Sequence, residues 1–138
     1  MLDYSQRFAE RIDPTGARMA LYMVWPAANR SFDFGGVSNS YETAARQTDS
    51  MLFPAGEAWL EAWKLDPDVP LYAADRFHPS ILGTHLAALV MFEQITGRDP
   101  RTLPAEILTG ADPIELPIEL GDVLHDAAVA ANTMFSLP

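Results

Sequence analysis

The apolar residues of this chain follow two different spacings. Residues 2–12 place apolar side chains at helical spacing among charges, which predicts an amphipathic helix ended by a Pro-Thr-Gly turn. Residues 19–25 form an uninterrupted apolar run, which predicts a strand buried on both faces, as in parallel sheets. A second short strand is predicted at residues 51–55, and a brief extended piece at residues 71–72.

Helical spacing returns after a polar loop predicted at residues 26–37. Further helices are predicted at residues 39–48, 56–65, 80–96 and from Pro117 onward. The helix at residues 80–96 is apolar on nearly every side, which predicts that it is buried. Gly97 is expected to end it, and the stretch before Pro117 is expected to be irregular.

This order of elements predicts an α/β fold in which helices flank a small parallel sheet, within a single domain over residues 1–138. A parallel sheet of only two or three short strands leaves strand edges without neighbours. The sequence therefore indicates part of a larger sheet, or a protomer whose sheet edge is covered by a second copy or by a partner chain.

The charge and the missing cysteines exclude several classes of function. Nine Lys and Arg stand against nineteen Asp and Glu, a net charge of −10, which argues against nucleic acid and anionic membranes as partners. Without cysteine, disulfides, thiolate metal sites and cysteine nucleophiles are excluded. Neither a signal peptide nor a membrane span is predicted, so the chain is expected to be soluble, with its compartment open.

Asp75 and His78 form the motif that carries chemistry. They stand three residues apart in a predicted loop, just before the apolar helix. In a tight loop, the carboxylate can accept a hydrogen bond from the imidazole Nδ1–H, which leaves Nε2 free as a base toward a serine hydroxyl. Pro79 is expected to stiffen the loop and to open the helix.

The segment Asp75-Arg76-Phe77-His78-Pro79 resembles the last conserved block of the SGNH (GDSL-type) hydrolase superfamily, which reads Asp-x-x-His and is usually followed by Pro. The resemblance covers nearly the whole chain, but only the C-terminal half of the family pattern. Flanking segments that also resemble one bacterial branch are Pro54 to Trp59, Leu71-Tyr72, Gly83 to Ala88, Gly97 to Pro100 and the final helix.

The resemblance implies a three-layer, flavodoxin-like fold, present here in part, and hydrolysis of a small-molecule carboxylic ester through an acyl-serine, without a cofactor. His78 would be the general base and Asp75 the carboxylate that orients it. The Gly-Asp-Ser nucleophile block and the blocks that supply the oxyanion-hole donors are missing from this sequence. The chain alone is therefore expected to be inactive.

The serines of the chain offer no convincing replacement nucleophile. Ser38 and Ser40 lie in a polar loop that enters a helix rather than in a strand-to-helix turn. Ser50 precedes a strand, and Ser80 follows the motif histidine so closely that it is expected to cap the next helix.

Other interpretations of the motif stay open. Asp-x-x-His alone is also typical of an ordinary turn, and the chain could be a non-catalytic truncated fragment or a self-associating module. A metal site needs three or four converging ligands, and no further His-x-x-His or Glu-x-x-His spacing is present, so none is predicted.

Several other residues of interest have simpler roles as their first interpretation. Trp25 ends a predicted strand and could border a substrate pocket, although packing is the expected role. Glu57 is expected to act as a charge at a helix N-terminus. The remaining expectations are a core position for Trp59 and Trp63, a helix-surface or packing position for His85, and a solvated position for His125.

Overall fold

A computed structural model describes residues 1–108, 110 and 113–135 of the chain. Among these residues it has five α-helices: α1 (Leu2–Ile12), α2 (Phe34–Gln47), α3 (Ala55–Leu65), α4 (Ile81–Thr96) and α5 (Ile118–Met134). The four strands are β1 (Ala20–Tyr22), β2 (Met51–Phe53), β3 (Glu106–Leu108) and β4 (Pro113–Glu115). Short 3₁₀ helices occupy Asp13–Thr15, Ala28–Asp33 and Pro100–Thr102. The predicted α/β architecture, with helices flanking a small parallel sheet, is confirmed.

α2 begins five residues earlier than the sequence predicts, inside the segment predicted to be a loop. Its first residue, Phe34, is buried, and Ser38 in its second turn hydrogen-bonds to Glu57 of α3. These tertiary contacts stabilise the first turn despite two glycines, which weaken helices on their own. Gly97 ends α4 in the left-handed conformation at φ 66°, as predicted.

The parallel sheet contains β1 and β2 only, within the described part of the chain. Ala20 pairs with Met51, and Tyr22 pairs with Phe53. The strand predicted within residues 19–25 is limited to three residues, and the prediction that it is buried on both faces is wrong, since its first and last residues are exposed. The reason is its position, because no described strand pairs with its other edge.

The main core lies where α3, α4 and α5 pack together. Trp59 of α3, Leu86 and Val90 of α4 and Leu124 of α5 are all fully buried there. The prediction that α4 is buried on nearly every side is wrong, since one face of the helix is open to solvent along its length, where Ile81, Thr84, Ala88 and Ile95 are exposed.

A second, smaller core cluster lies against the parallel sheet, formed by Met23, Ala45, Leu52 and Phe135. The irregular stretch predicted before α5 instead contains an antiparallel hairpin of β3 and β4, which buries Ile107 against the main core. None of the described helices has the length and apolar character needed to cross a membrane.

Candidate catalytic site

The loop between α3 and α4 is closed at its base by backbone hydrogen bonds. An isolated bridge pairs Tyr72 with Pro79. The N–H of Ala73 donates to the carbonyl of His78 at 2.9 Å, and the N–H of Ser80 donates to the carbonyl of Leu71 at 2.8 Å. The loop ends are therefore fixed in register, which limits the positions that His78 can take.

The tip of the loop is a turn with one strained residue. The N–H of Arg76 donates to the carbonyl of Ala73 at 3.0 Å, and Arg76 has a φ of 59°. This left-handed conformation is uncommon for a residue other than glycine and costs about 1 kcal/mol or more. The N–H of Ala28, in the segment after β1, donates to the carbonyl of Arg76 at 2.9 Å and so helps to hold the turn.

Asp75 and His78 are brought together as their spacing predicts. Oδ1 of Asp75 accepts from the backbone N–H groups of Phe77 at 3.1 Å and His78 at 3.0 Å. Oδ2 of Asp75 lies 2.6 Å from Nδ1 of His78. The carboxylate of Asp75 is thus bound to two N–H groups of its own loop and to the ring of His78, which restricts the conformations of its side chain.

The hydrogen bond from His78 is the largest cause that lowers the pKa of Asp75 to about 2, and the two backbone N–H donors add to it. Asp75 is therefore a carboxylate at neutral pH and accepts the proton on Nδ1 of His78. The neutral ring then carries its lone pair on Nε2, the atom that a general base uses.

The pair is open to solvent. The side chain of His78 is 69% exposed and that of Asp75 is 50% exposed. Nε2 of His78 makes no hydrogen bond to any residue in the described part of the chain. An imidazole held in this tautomer, with an accessible Nε2, can take a proton from a hydroxyl brought to it.

Trp25 supports the loop from behind. Its indole Nε1–H donates to the carbonyl of Phe77 at 3.2 Å, and its ring stacks on Trp59 at 3.8 Å between centroids. The hydroxyl of Tyr72 donates to the carbonyl of Pro26 at 2.6 Å. Trp25 thus packs between the main core and the loop between α3 and α4, called the dyad loop because it carries Asp75 and His78. Its contact with Phe77 spans 52 positions, and no pattern in the sequence indicates it.

A surface cavity of about 480 Å³ lies beside the dyad. Its lining is formed by Ala27, Asn29, Asp75, Arg76 and Phe77. Trp25 is not among the lining residues, so the structure places it next to this cavity rather than in its wall. The predicted core position holds for Trp59, which is fully buried, and Trp63 packs half-buried against the same cluster.

The start of α4 anchors the other side of the loop. Oγ of Ser80 accepts from the N–H of Gly83 at 3.1 Å and donates to the carbonyl of Pro70 at 2.6 Å, so Ser80 caps the helix as predicted. A Cβ on Gly83 would lie 2.4 Å from the carbonyl oxygen of Leu71 and 2.6 Å from Cζ2 of Trp59. Only glycine lets the helix approach the loop this closely.

The candidate serines are engaged elsewhere. Ser38 is buried and hydrogen-bonds to Glu57 and to the carbonyl of Phe34. Ser40 donates to its own helix at 2.7 Å, and Ser50 lies 2.7 Å from the hydroxyl of Thr48. Throughout residues 1–108, 110 and 113–135, no serine hydroxyl is hydrogen-bonded to the imidazole of the dyad.

The two other histidines lie near each other between α4 and α5. His85 is half-buried on α4, as expected of a helix-surface or packing position. The prediction that His125 is solvated is wrong, since it is 4% exposed and its Nε2 is buried without a hydrogen bond in the described structure. Burial is the largest cause that lowers the pKa of both rings. His125 lies next to Leu124 and three residues before Ala128, both of which are buried in α5. Helical spacing could therefore have placed His125 on the buried face of this helix.

Glu57 lies in the first turn of α3, as predicted for a helix N-terminal charge, but it is also buried. Its carboxylate accepts a hydrogen bond from the hydroxyl of Ser38, and no pattern in the sequence indicates this contact. No group of three or more His, Asp or Glu side chains that could hold a metal ion occurs in the described parts of the chain.

The fold is similar to that of a solved bacterial protein, a DUF4886 family protein from Bacteroides uniformis ATCC 8492, with a TM-score of 0.72 at 18% sequence identity. The match covers 93% of this chain but 54% of the solved one, so this chain spans about half the length of that protein. At this identity the likeness concerns the fold alone. No family model and no curated protein matches the sequence.

Proposed function

We propose that this chain carries the Asp-His part of a serine ester hydrolase of the SGNH (GDSL-type) superfamily, in a partial three-layer, flavodoxin-like fold. The observation that carries the proposal is the 2.6 Å contact between Oδ2 of Asp75 and Nδ1 of His78, in a ring that stays 69% exposed. This combination is the one that a general base toward a serine requires.

The chemistry follows from the two atoms of the ring. A serine hydroxyl near Nε2 would transfer its proton to His78 as its oxygen attacks the ester carbonyl. His78 would then protonate the leaving alcohol, and water would release the acyl group by the same path in reverse. Asp75 stays ionised and stabilises the imidazolium, in keeping with its pKa of about 2.

The serine itself would come from outside the described residues, at the free edge of β1. β1 pairs on one side with β2, and no described strand pairs with its other side. The dyad loop contacts the segment that follows β1, through Trp25 and Ala28. A strand added in parallel to β1 would therefore end near the dyad, and the fold-matched bacterial protein extends well beyond the matched region.

The test compares two preparations, the 138-residue chain and the same chain extended by the in-frame coding sequence upstream of Met1. Each is treated with a fluorophosphonate probe and assayed for hydrolysis of p-nitrophenyl acetate. We expect the short chain to remain unlabelled and the extended chain to be labelled on a serine. His78→Ala is expected to lower kcat by roughly 10²- to 10⁴-fold.

His85→Ala serves as the matched control, because it removes a histidine of α4 that is not part of the dyad. Its kcat is expected to stay within about twofold of the parent. If neither preparation is labelled, or if labelling and turnover do not depend on His78, the hydrolase proposal fails. Labelling of the short chain would show instead that one of its own serines reacts.

A non-catalytic, self-associating module is the second candidate. It is favoured by the edge of β1 that no described strand covers, and by exposed apolar side chains on that strand and on α1, which include Tyr4, Phe8 and Tyr22. Such surfaces promote association. Light scattering during size-exclusion chromatography tests this candidate, and a stable monomer at high micromolar concentration would rule it out.

A further inference from the structure

A short segment of chain covers the two histidines that lie outside the dyad. This covering segment, residues 103–108, contains β3. The Cβ of Ala105 lies 2.5 Å from the position that a Cβ on Gly121 would take, so the segment packs directly against α5. His125 lies one helical turn after Gly121 and therefore on the same face of α5. The segment thus packs over the face that carries His125.

His85 of α4 lies beside the same segment. It lines a surface cavity of about 260 Å³, and the other lining residues all belong to the covering segment: Leu103, Pro104, Glu106 and Leu108. Ile107 is buried in the main core and fixes the segment there. The covering segment therefore contacts α4 next to one histidine and α5 next to the other.

His125 is poorly placed to carry a charge. It is 4% exposed, and its Nε2 is buried without a hydrogen bond to any residue in the described part of the chain. A neutral imidazole leaves one nitrogen unpaired there, whereas an imidazolium would bury a charge together with an unpaired N–H donor. His85 adds to the cost when it is also protonated, because the two like charges repel each other.

Charged groups approach the two rings from every element around them. They are Asp122 and Asp126 on α5, Asp99 and Arg101 after α4, and Glu106 on the covering segment. Burial lowers the pKa of His125 below its ordinary value of 6.5, although the three aspartates act in the opposite direction. Arg101 offsets two of these aspartates, since it pairs with Asp99 at 2.7 Å and lies 3.9 Å from Asp126. The covered ring of His125 is therefore neutral at pH 7.

We propose that protonation of His125 releases the covering segment from α4 and α5, which makes this part of the fold a pH-sensitive switch. Release lets water reach the ring, and the nearby aspartates then stabilise the imidazolium without the penalty of burial. Only the contacts of residues 103–108 have to be lost, while the packing of α3, α4 and α5 in the main core is kept.

The direction of the switch follows from proton linkage. The covered ring of His125 binds its proton less tightly than the open ring, so the covered state is fully favoured above pH 6.5 and is progressively disfavoured as pH falls below that value. Down to the pKa of the covered ring, each pH unit raises the ratio of open to covered molecules by up to about tenfold. His85 adds a pH dependence of the same sign, because burial also lowers its pKa.

Ile107→Cys introduces a reporter of opening, since the chain has no cysteine of its own. Ile107 is 5% exposed, so a thiol at this position reacts with dithiodipyridine only when the segment opens. Ala45→Cys places a matched buried thiol in the small core cluster, outside the covering segment. Each rate is divided by that of a free cysteine peptide at the same pH, which removes the effect of thiol ionisation. From about pH 7.5 to about pH 5.5, we expect the corrected rate at position 107 to rise roughly five- to tenfold.

His125→Leu and His125→Gln, each combined with Ile107→Cys, remove the titrating ring and are expected to abolish most of this rise. Two replacements of different polarity are used so that at least one folded variant can be compared, and melting temperatures show which are folded. His78→Gln is the matched control, because it removes an exposed histidine of the dyad loop and should leave the rise unchanged.

The proposal is overturned if the corrected rate at position 107 does not rise as pH falls, or if the rise persists in a folded His125 variant. It is also overturned if the thiols at positions 107 and 45 are equally protected at about pH 5.5. Both would then be exposed only by global unfolding, and no separate opening of the covering segment would exist.

Discussion

Gly83→Ala tests whether close packing between α4 and the dyad loop holds the site together. The added Cβ would lie 2.4 Å from the carbonyl oxygen of Leu71 and 2.6 Å from Cζ2 of Trp59. Ordinary contacts of these kinds are about 3.3 to 4 Å, so both neighbours would have to move by roughly 1 Å. Neither moves easily, because the Leu71 carbonyl accepts from Ser80 at 2.8 Å and Trp59 is stacked on Trp25.

The magnitude follows from two opposing effects. Overpacking of this kind costs about 1 to 3 kcal/mol, and two rigid neighbours place this site toward the upper end. Alanine in place of glycine in a helix returns about 1 kcal/mol. We therefore expect the free energy of unfolding to fall by about 2 kcal/mol, which lowers the urea midpoint by about 1 M.

Urea unfolding followed by circular dichroism measures this loss, and ¹⁵N NMR of the ring of His78 reports whether the dyad geometry has changed. Gly36→Ala is the matched control, since Gly36 lies in α2 with open space around its Cβ position. That control is expected to gain up to about 1 kcal/mol. A Gly83→Ala protein as stable as the parent, or one that gains as much as Gly36→Ala, would refute the packing argument.

Three more changes probe the dyad and the core. The carboxyl group of Asp75 is expected to titrate near pH 2. His78→Ala should raise that midpoint toward 3.8, because it removes the hydrogen bond that lowers the pKa most. An unchanged midpoint, measured by NMR, would contradict the contact between Asp75 and His78. Since the folded pKa is depressed, this stabilising contribution is present above about pH 4 and is lost as pH falls toward 2. Burial lowers the pKa of His125 below 6.5, so the unfolded chain binds more protons and the free energy of unfolding should fall as pH drops through and below 6.5. His125→Leu should flatten this pH dependence in urea melts. An equally steep dependence in the variant would argue against a role for His125. Trp25→Phe removes a hydrogen bond to the dyad loop and should cost about 0.5 to 1 kcal/mol while shifting the NMR signals of His78. Trp63→Phe removes a similar hydrogen bond, 3.0 Å long, to the carbonyl of Val69, which lies outside the turn from Ala73 to His78, and it should shift those signals less.

The parts of the site that lie close together in sequence were predictable. Asp75 meets His78 three residues later and Ser80 caps α4 three residues before Gly83, so both contacts lie within a single turn of chain. Short segments of this kind are governed by local backbone geometry and by side-chain hydrogen bonds to nearby N–H groups. The sequence alone is sufficient for such features.

The contacts that make the loop rigid could not be predicted in the same way. Trp25 reaches Phe77 across 52 positions, and Tyr72 reaches Pro26 across 46. A pattern of apolar residues shows that such side chains pack, but not which carbonyl they meet. The same limit explains the early start of α2, which depends on the contact between Ser38 and Glu57.

The error on β1 has a different physical cause. An apolar run indicates that side chains are suited to burial, and it does not say that the burying partner is present. In the described structure β1 pairs only with β2, so Tyr22 stays exposed although its sequence context is that of an inner strand. The pattern therefore describes the environment for which the strand is suited.

The dyad, like β1, has less cover in the described structure than its chemistry favours. The hydrogen bond between Asp75 and His78 is well formed at 2.6 Å, yet the ring is 69% exposed, and water weakens an interaction in such a place. A catalytic imidazolium is stabilised far more strongly when the site is covered. If the proposed function holds, the element that adds to β1 must therefore bring the serine and also exclude water from His78. On that proposal, a protein extended upstream of Met1 is expected to protect His78 from solvent, and an extended protein with an equally exposed His78 would contradict the proposal.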